Sequence, residues 1–176
     1  MRYALSAVVD VVATATELSP HHVNMQARRL QELGELARSP GGRLPALVNP
    51  PQVARLLLAL LVDRPLVEAA RLAAIMSDYR NQGMPVGDYI GRMLVSAGGP
   101  DFLAPASVLA AKASVTVHAG DAVVIRYTCT DDPLEEVFTA SGATWAPDDA
   151  ETIASARTLP GRLLHRIGRG LAGIQE

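Results

Sequence analysis

"SPHHVNMQARRLQELGELARSPGGRL" occupies residues 19–44, and its reading decides both the fold and the function expected of this chain. Ser19 offers a side-chain oxygen for an N-cap, and Pro20 has the fixed φ and missing N–H that suit a first helical position. Val23, Ala27, Leu30, Leu33 and Ala37 recur at helical spacing and predict a buried face. His22, Gln26 and Arg29 fall on the opposite side, with His21, Asn24 and Arg28 beside them. These side chains are of the types that hydrogen-bond base edges in a major groove. Glu32 and Glu35 come in the last turns, away from that end. Gly34, late in the helix, predicts a close packing contact or fraying. "RSPGGR" then predicts a tight turn: Pro40 sets the bend, Gly41 and Gly42 supply positive φ, and Arg38 and Arg43 flank the glycines. With "LPALV" as a short extended return, this is the composition of a wing that carries a cation to phosphate or minor groove. The competing reading of the same residues is a solvated helix followed by a loop.

The flanking sequence is helical. Leu5, Val8, Val9, Val12 and Ala15 predict an N-terminal helix over residues 3–18. In "NPPQVARLLLALLVDRP", Asn49 caps, Pro50 and Pro51 fill the first turn and Gln52 completes a capping box. Val53, Leu56, Leu57, Leu60 and Leu61 form a wide stripe, and Leu58, Ala59 and Val62 fill the remaining sides. A helix apolar nearly all round is buried in a core or at a subunit interface. Pro65 opens another helix over residues 66–80. Val86, Ile90, Met93 and Leu94 mark a shorter one, stopped by Gly98, Gly99 and Pro100.

The period then changes from helix to strand. "SVTVHAGDAVVIRYTCT" alternates, with Ala119-Gly120-Asp121 as a hairpin turn, and "LEEVFTA" predicts a third strand. "SGATWAPDDAE" reads as loop. The tail places Leu163, Leu164, Ile167, Leu171 and Ile174 on one side and Arg162, Arg166 and Arg169 elsewhere. Gly168, Gly170 and Gly173 weaken it as an isolated helix, so it needs a docking surface. The expected fold is mostly α, of α+β class. It has an N-terminal winged helix-turn-helix in a helical domain (1–98), a small antiparallel β unit (99–145), and a loop with a basic amphipathic tail helix (146–176).

The 176 residues suit one domain, or one with an appendage, and 49% apolar against 4% aromatic content predicts an aliphatic core. A net charge of −2 argues against indiscriminate coating of nucleic acid. The charge is nevertheless segregated. Residues 19–43 hold four arginines against two acids, residues 131–151 hold seven acids and no Lys or Arg, and residues 155–176 hold four arginines against Glu176. The tail could lie on DNA, on an acidic partner or on the chain's own acidic stretch, the last being the most economical.

Catalytic signatures do not compete with the helix. The sequence has no G-x-S-x-G, P-loop or G-x-G-x-x-G pattern. His21, His22, His118 and His165 fall at no recognised metal-ligand spacing. The single cysteine, Cys129, allows no intrachain disulfide and shares a strand face with Ile125 and Tyr127, as a buried inert thiol does. Asp131-Asp132 and Glu135-Glu136 read as a solvated turn rather than a cation site. No catalytic residue, metal ligand or cofactor is therefore expected, and the chain is expected not to be an enzyme. Asp10 and Glu17 interrupt the apolar opening run and no clean cleavage site follows, so the expected location is cytoplasmic, without a membrane partner.

"VNMQARRLQELGEL", followed by "GGR" and "PPQVARLLLALL", resembles the helix-turn-helix segment of small regulatory or packaging proteins of phages and mobile elements of GC-rich bacteria. The resemblance covers about residues 18–62, and the use of Arg over Lys (Lys112 alone) is consistent with a GC-rich coding sequence. It implies a winged helix-turn-helix with the reading face on residues 21–29 and an arginine-bearing turn at residues 38–43. No ligand-sensing domain follows. The expected function is sequence-specific binding of double-stranded DNA by a homo-oligomeric transcriptional regulator, a dimer or larger. The alternatives are a packaging component such as a small terminase subunit, or a module that antagonises a regulator through its Leu-rich helices or basic tail.

Overall fold

A computed structural model describes residues 1–41, 44–98, 111–118, 121–128, 134–140 and 156–174. The element order is β1 (Tyr3–Ala4), α1 (Leu5–Thr16), α2 (Pro20–Glu32), β2 (Leu47–Val48), α3 (Pro50–Leu61), α4 (Leu66–Ser77), β3 (Arg80–Asn81), β4 (Met84–Pro85) and α5 (Val86–Gly98). There follow β5 (Ala113–His118), β6 (Ala122–Tyr127), β7 (Leu134–Thr139), β8 (Arg157–Pro160) and a last helix, α6 (Gly161–Ala172). The class is α+β. Six strands form an antiparallel sheet in the order β4-β3-β7-β6-β5-β8, and β1 and β2 pair separately.

The Leu-rich helix α3 is the centre of the molecule. Asn49 Oδ1 accepts from the Gln52 N–H and Gln52 Oε1 accepts from the Asn49 N–H, each at 3.0 Å, so the expected capping box forms. Val53, Ala54, Leu56, Leu57, Leu58, Ala59 and Leu61 are all buried, on every side of the helix. The covering comes from α2, α4, α5, β5 and β8 of the same chain. Of the two sites predicted for this helix, core or subunit seam, it occupies the core.

The sheet packs one face inward. Val115↔Ile125 and Val117↔Val123 are cross-strand partners, Val123↔Phe138 and Val115↔Leu159 extend the rows, and all of these side chains are buried. Each fully buried aliphatic side chain of this size contributes about 1.5–3 kcal/mol. The opposite face carries Ser114, Thr116, Arg126, Glu135 and Thr158, as period-2 alternation requires. Strands β5 and β6 lie where alternation predicts them, and β7 lies within "LEEVFTA". A strand also forms where the sequence predicts loop before the tail helix: β8 pairs with β5 through Ser114↔Pro160 to Val117↔Arg157.

Helix α6 turns Gly161, Leu164, Ile167, Gly168 and Leu171 inward, against α5 and α1. Its glycines are contact points rather than weak points. A Cβ on Gly170 would come 2.6 Å from Val11 Cγ1, and one on Gly168 would come 2.7 Å from Ala97 Cβ. One buried apolar cluster runs from Tyr3 to Leu171 and takes in helices and sheet alike.

Candidate nucleic-acid interface

Helix α2 is fixed at both ends. At its start Ser19 Oγ accepts from the His22 N–H at 3.2 Å, and Pro20 occupies the first position. At its end Gly34 takes φ +82, the Gly34 N–H donates to Gln31 O at 3.1 Å, and the Glu35 N–H donates to Leu30 O at 2.9 Å. This reciprocal pair is the Schellman closure, which favours glycine at the left-handed position. The reversal has a consequence for packing. Leu33 is left 41% exposed, whereas Leu36 is 2% exposed and takes the core place that helical periodicity assigned to Leu33.

The inward face of α2 is Val23, Gln26, Ala27 and Leu30. Gln26 thus belongs to the buried side, which corrects its assignment to the DNA-reading set. It is 1% exposed, and its Nε2 donates to Leu66 O at 3.3 Å, in the first turn of α4. A carbonyl has two lone pairs, so Leu66 O can accept this bond without leaving its helix. The remaining candidates divide in two. His21, His22, Asn24 and Arg28 are exposed, and none forms a hydrogen bond or ion pair through its side chain with another described residue. Arg29 is 35% exposed and its Nη1 donates to Glu32 Oε2 at 2.7 Å, an i,i+3 pair on the helix surface. Met25, half-buried, shares the outward arc with His21, Asn24 and Arg28. Its apolar side chain carries no polar signal in the sequence, although apolar contact with a thymine methyl is one of the base-recognition modes.

Of the two flanking arginines, Arg38 departs from the expected wing. Arg38 turns back onto α2: its Nε donates to Gln31 O at 2.9 Å and its Nη2 to Glu32 O at 3.2 Å. It therefore gives Gln31 O a second donor beside the Gly34 N–H and supplies a donor to Glu32 O at the helix end. Arg43 and Gly42 lie outside the described residues. Ser39 Oγ donates to Leu44 O at 2.7 Å and steadies the turn. The extended return at Leu47–Val48 does form, but its partner is β1, through Tyr3↔Val48 and Ala4↔Leu47. It crosses to the N-terminus instead of pairing with a strand across the turn.

Below α2 a polar knot ties the helix end to the core. Arg55 Nη1 donates to Glu35 Oε2 at 2.6 Å, Arg55 Nε donates to Ser77 Oγ at 2.9 Å, and Ser77 Oγ donates to Ala74 O at 2.8 Å. Gln52 Nε2 adds a bond to Glu35 O at 3.3 Å. The turn after α2 is thereby held by α3 and α4.

The rest of the molecule offers less chemistry. A groove of about 270 Å³ is lined by Asp10, Val11, Thr14, Ala15, Arg166 and Gly170, and one of about 540 Å³ by Pro50, Pro51, Asp88, Gly91, Arg92, Val95 and Ser96. Among the described residues no three His, Cys, Asp or Glu side chains converge to hold a metal ion. Glu135 pairs with Arg126 and Glu136 with Asn81, so these two acids of the late stretch are occupied on the sheet. Asp131, Asp132 and Cys129 lie outside the described residues. Burial pushes the His118 imidazole below its usual 6.5, with Asp121 opposing in part, and burial raises the Tyr79 phenol above 10.0. No helix among the described residues is long and apolar enough to cross a membrane.

Comparison of the chain with known protein families, with curated proteins and with solved structures finds no match. The functional reading therefore rests on this chain's own residues.

Proposed function

We propose that the protein binds double-stranded DNA in a sequence-specific manner through the N-terminal half of α2, and acts as a transcriptional regulator. The observation that carries this reading is the state of four side chains. His21, His22, Asn24 and Arg28 are exposed on a helix fixed at both ends, and none is committed to another described residue. Residues that read base edges need this combination of free donors and acceptors with a rigid support. Arg28 is suited to guanine or phosphate, Asn24 to adenine, and the histidines to either base or backbone.

The reading set is thus narrower than composition suggests. Gln26 supports the helix from behind, and the Arg29–Glu32 pair, at the far end, must open before Arg29 meets phosphate. Such an exposed pair is worth less than about 1 kcal/mol, so its opening costs little. In a winged helix-turn-helix version of this reading, Arg38 and Arg43 approach the backbone, and Arg38 gives up its two bonds to the α2 carbonyls.

Selection of bound fragments from genomic DNA by the purified full chain tests the proposal. A recurrent sequence that loses binding with Arg28→Ala supports it. Recovery of no DNA at low salt, or of fragments without a shared sequence, overturns it.

A further inference from the structure

Helix α4 is amphipathic in an unusual way. Its inward face is Ala69, Ala70, Ala73, Met76 and Ser77. Its outward arc, together with the residues just before and after the helix, carries Arg64, Val67, Glu68, Arg71, Ile75 and Asp78. Two large apolar side chains stand in the open there: Val67 is 45% exposed and Ile75 58% exposed. The charges around them are weakly engaged within the chain. Arg64 Nε is 3.8 Å from Glu68 Oε1, Asp78 Oδ1 is 4.0 Å from Arg55 Nη2, and Arg71 has no ion pair with another described residue.

The order of these residues is its own complement. Along the chain it runs positive, apolar, negative, positive, apolar, negative. Laid antiparallel on a second copy, with a two-fold axis near Arg71, the face sets Val67 on Ile75 of the other copy and Ile75 on its Val67. The same alignment brings Arg64 to Asp78 twice and sets the two Arg71 side chains beside each other at the axis, where Glu68 of each copy lies about 4.5 Å along the helix from the other copy's Arg71, within reach of that long side chain. A two-fold interface repeats every contact in this reciprocal manner, and a face must be self-complementary to form one. We propose that the outward face of α4 is an isologous interface between two copies of this chain. Exposed apolar residues scattered singly need no explanation; here both lie on one arc at mirror positions, bounded by Arg64 and Asp78, which are mirror positions of opposite charge. The proposal does not depend on what α2 binds. It also moves the subunit contact from the Leu-rich α3, which is consumed by the core, to its neighbour.

Sedimentation equilibrium of the full chain over a range of concentrations tests it, with circular dichroism to confirm that each variant keeps its helix content. The wild type is expected to sediment as a dimer, and Ile75→Asp is expected to raise the dissociation constant at least about tenfold. Arg71→Glu gathers four acids around the axis and Glu68→Arg gathers four cations there, so each alone is expected to be monomeric. Mixed together, the two variants present only opposite charges across the axis and are expected to form a mixed dimer. A wild type that stays monomeric at about 100 μM, well above micromolar association, overturns the proposal. So does an oligomer whose mass ignores the substitutions, or a mixture that stays monomeric.

Discussion

Gly98 and Gly168 meet where α5 crosses α6: a Cβ on Gly98 would lie 2.4 Å from the Gly168 carbonyl oxygen, and one on Gly168 would lie 2.5 Å from the Leu94 carbonyl oxygen. Backbone is the opposing surface on both sides, so no side chain can swing away to make room. Gly168→Ala is expected to destabilise the fold by about 1–3 kcal/mol through overpacking, despite the better helix propensity of alanine. Gly173, with φ −77 and its nearest neighbouring atom at 3.4 Å, has no such conflict. Gly173→Ala is expected to be neutral or to stabilise by about 0.4–1 kcal/mol. Urea unfolding of the two variants side by side distinguishes them, and equal midpoints would contradict the tight crossing.

Arg55 is the hinge pin of the turn behind α2. Its removal in Arg55→Met leaves the buried Ser77 hydroxyl without its donor and Glu35 without its cation. A loss of about 1–3 kcal/mol is expected, because a buried acceptor is orphaned. Glu35→Gln keeps a polar group near the guanidinium and removes only a part-exposed charge, so the expected loss is below about 1 kcal/mol. The reverse ranking in chemical unfolding would show that the Ser77 bond is unimportant.

His118 gives the fold a pH dependence of known sign. Burial lowers its folded-state pKa beneath the ordinary 6.5. Between those two values the unfolded chain binds a proton that the folded chain refuses, so stability falls as pH drops below about 6.5 and levels off below the folded value. Above that range neither state is protonated and no contribution changes. Wild type is therefore expected to lose more stability than His118→Gln between about pH 7.5 and about pH 5. Parallel losses in the two proteins would rule His118 out as the source.

Much of this architecture is legible in the residues, and the parts that are not have physical causes. Capping chemistry is local, so Ser19-Pro20 and Asn49-Pro50 marked the starts of α2 and α3 correctly. Alternation over six residues likewise marked β5 and β6, and the apolar-ended run "LEEVFTA" holds β7. Two-residue strands have no period to detect, which is why β1 and the pairing of β2 with it were invisible. The strand β8 was hidden because its four residues end in Pro160, and only its long-range pairing with β5 makes it a strand. Gly34 gave the signal for the end of α2, but Leu33 and Ala37 matched the helical period and carried the expected helix too far. Gln26 illustrates the limit for the site itself. Its polarity suggested solvent, yet one hydrogen bond to Leu66 O suffices to bury it.

The roles of Gln26 and Arg28 are expected to separate experimentally, though they stand only two residues apart. Gln26→Ala removes a buried donor and is expected to cost about 1 kcal/mol of stability while leaving ligand affinity unchanged at temperatures where the fold is intact. Arg28→Ala is expected to leave the unfolding midpoint within about 0.5 kcal/mol of wild type, as an exposed surface substitution does. A stability loss with Arg28→Ala equal to that with Gln26→Ala would place both in the core.

The most direct measurement is fluorescence anisotropy of a selected DNA duplex, titrated with wild type and Arg28→Ala from about 50 to about 200 mM salt. Wild-type affinity is expected to fall steeply with salt. Arg28→Ala is expected to bind more weakly, with a salt slope smaller by about one where Arg28 meets phosphate, or with relaxed sequence preference where it meets a base. Absence of binding at the lowest salt, or identical curves for the two proteins, would contradict DNA recognition through α2.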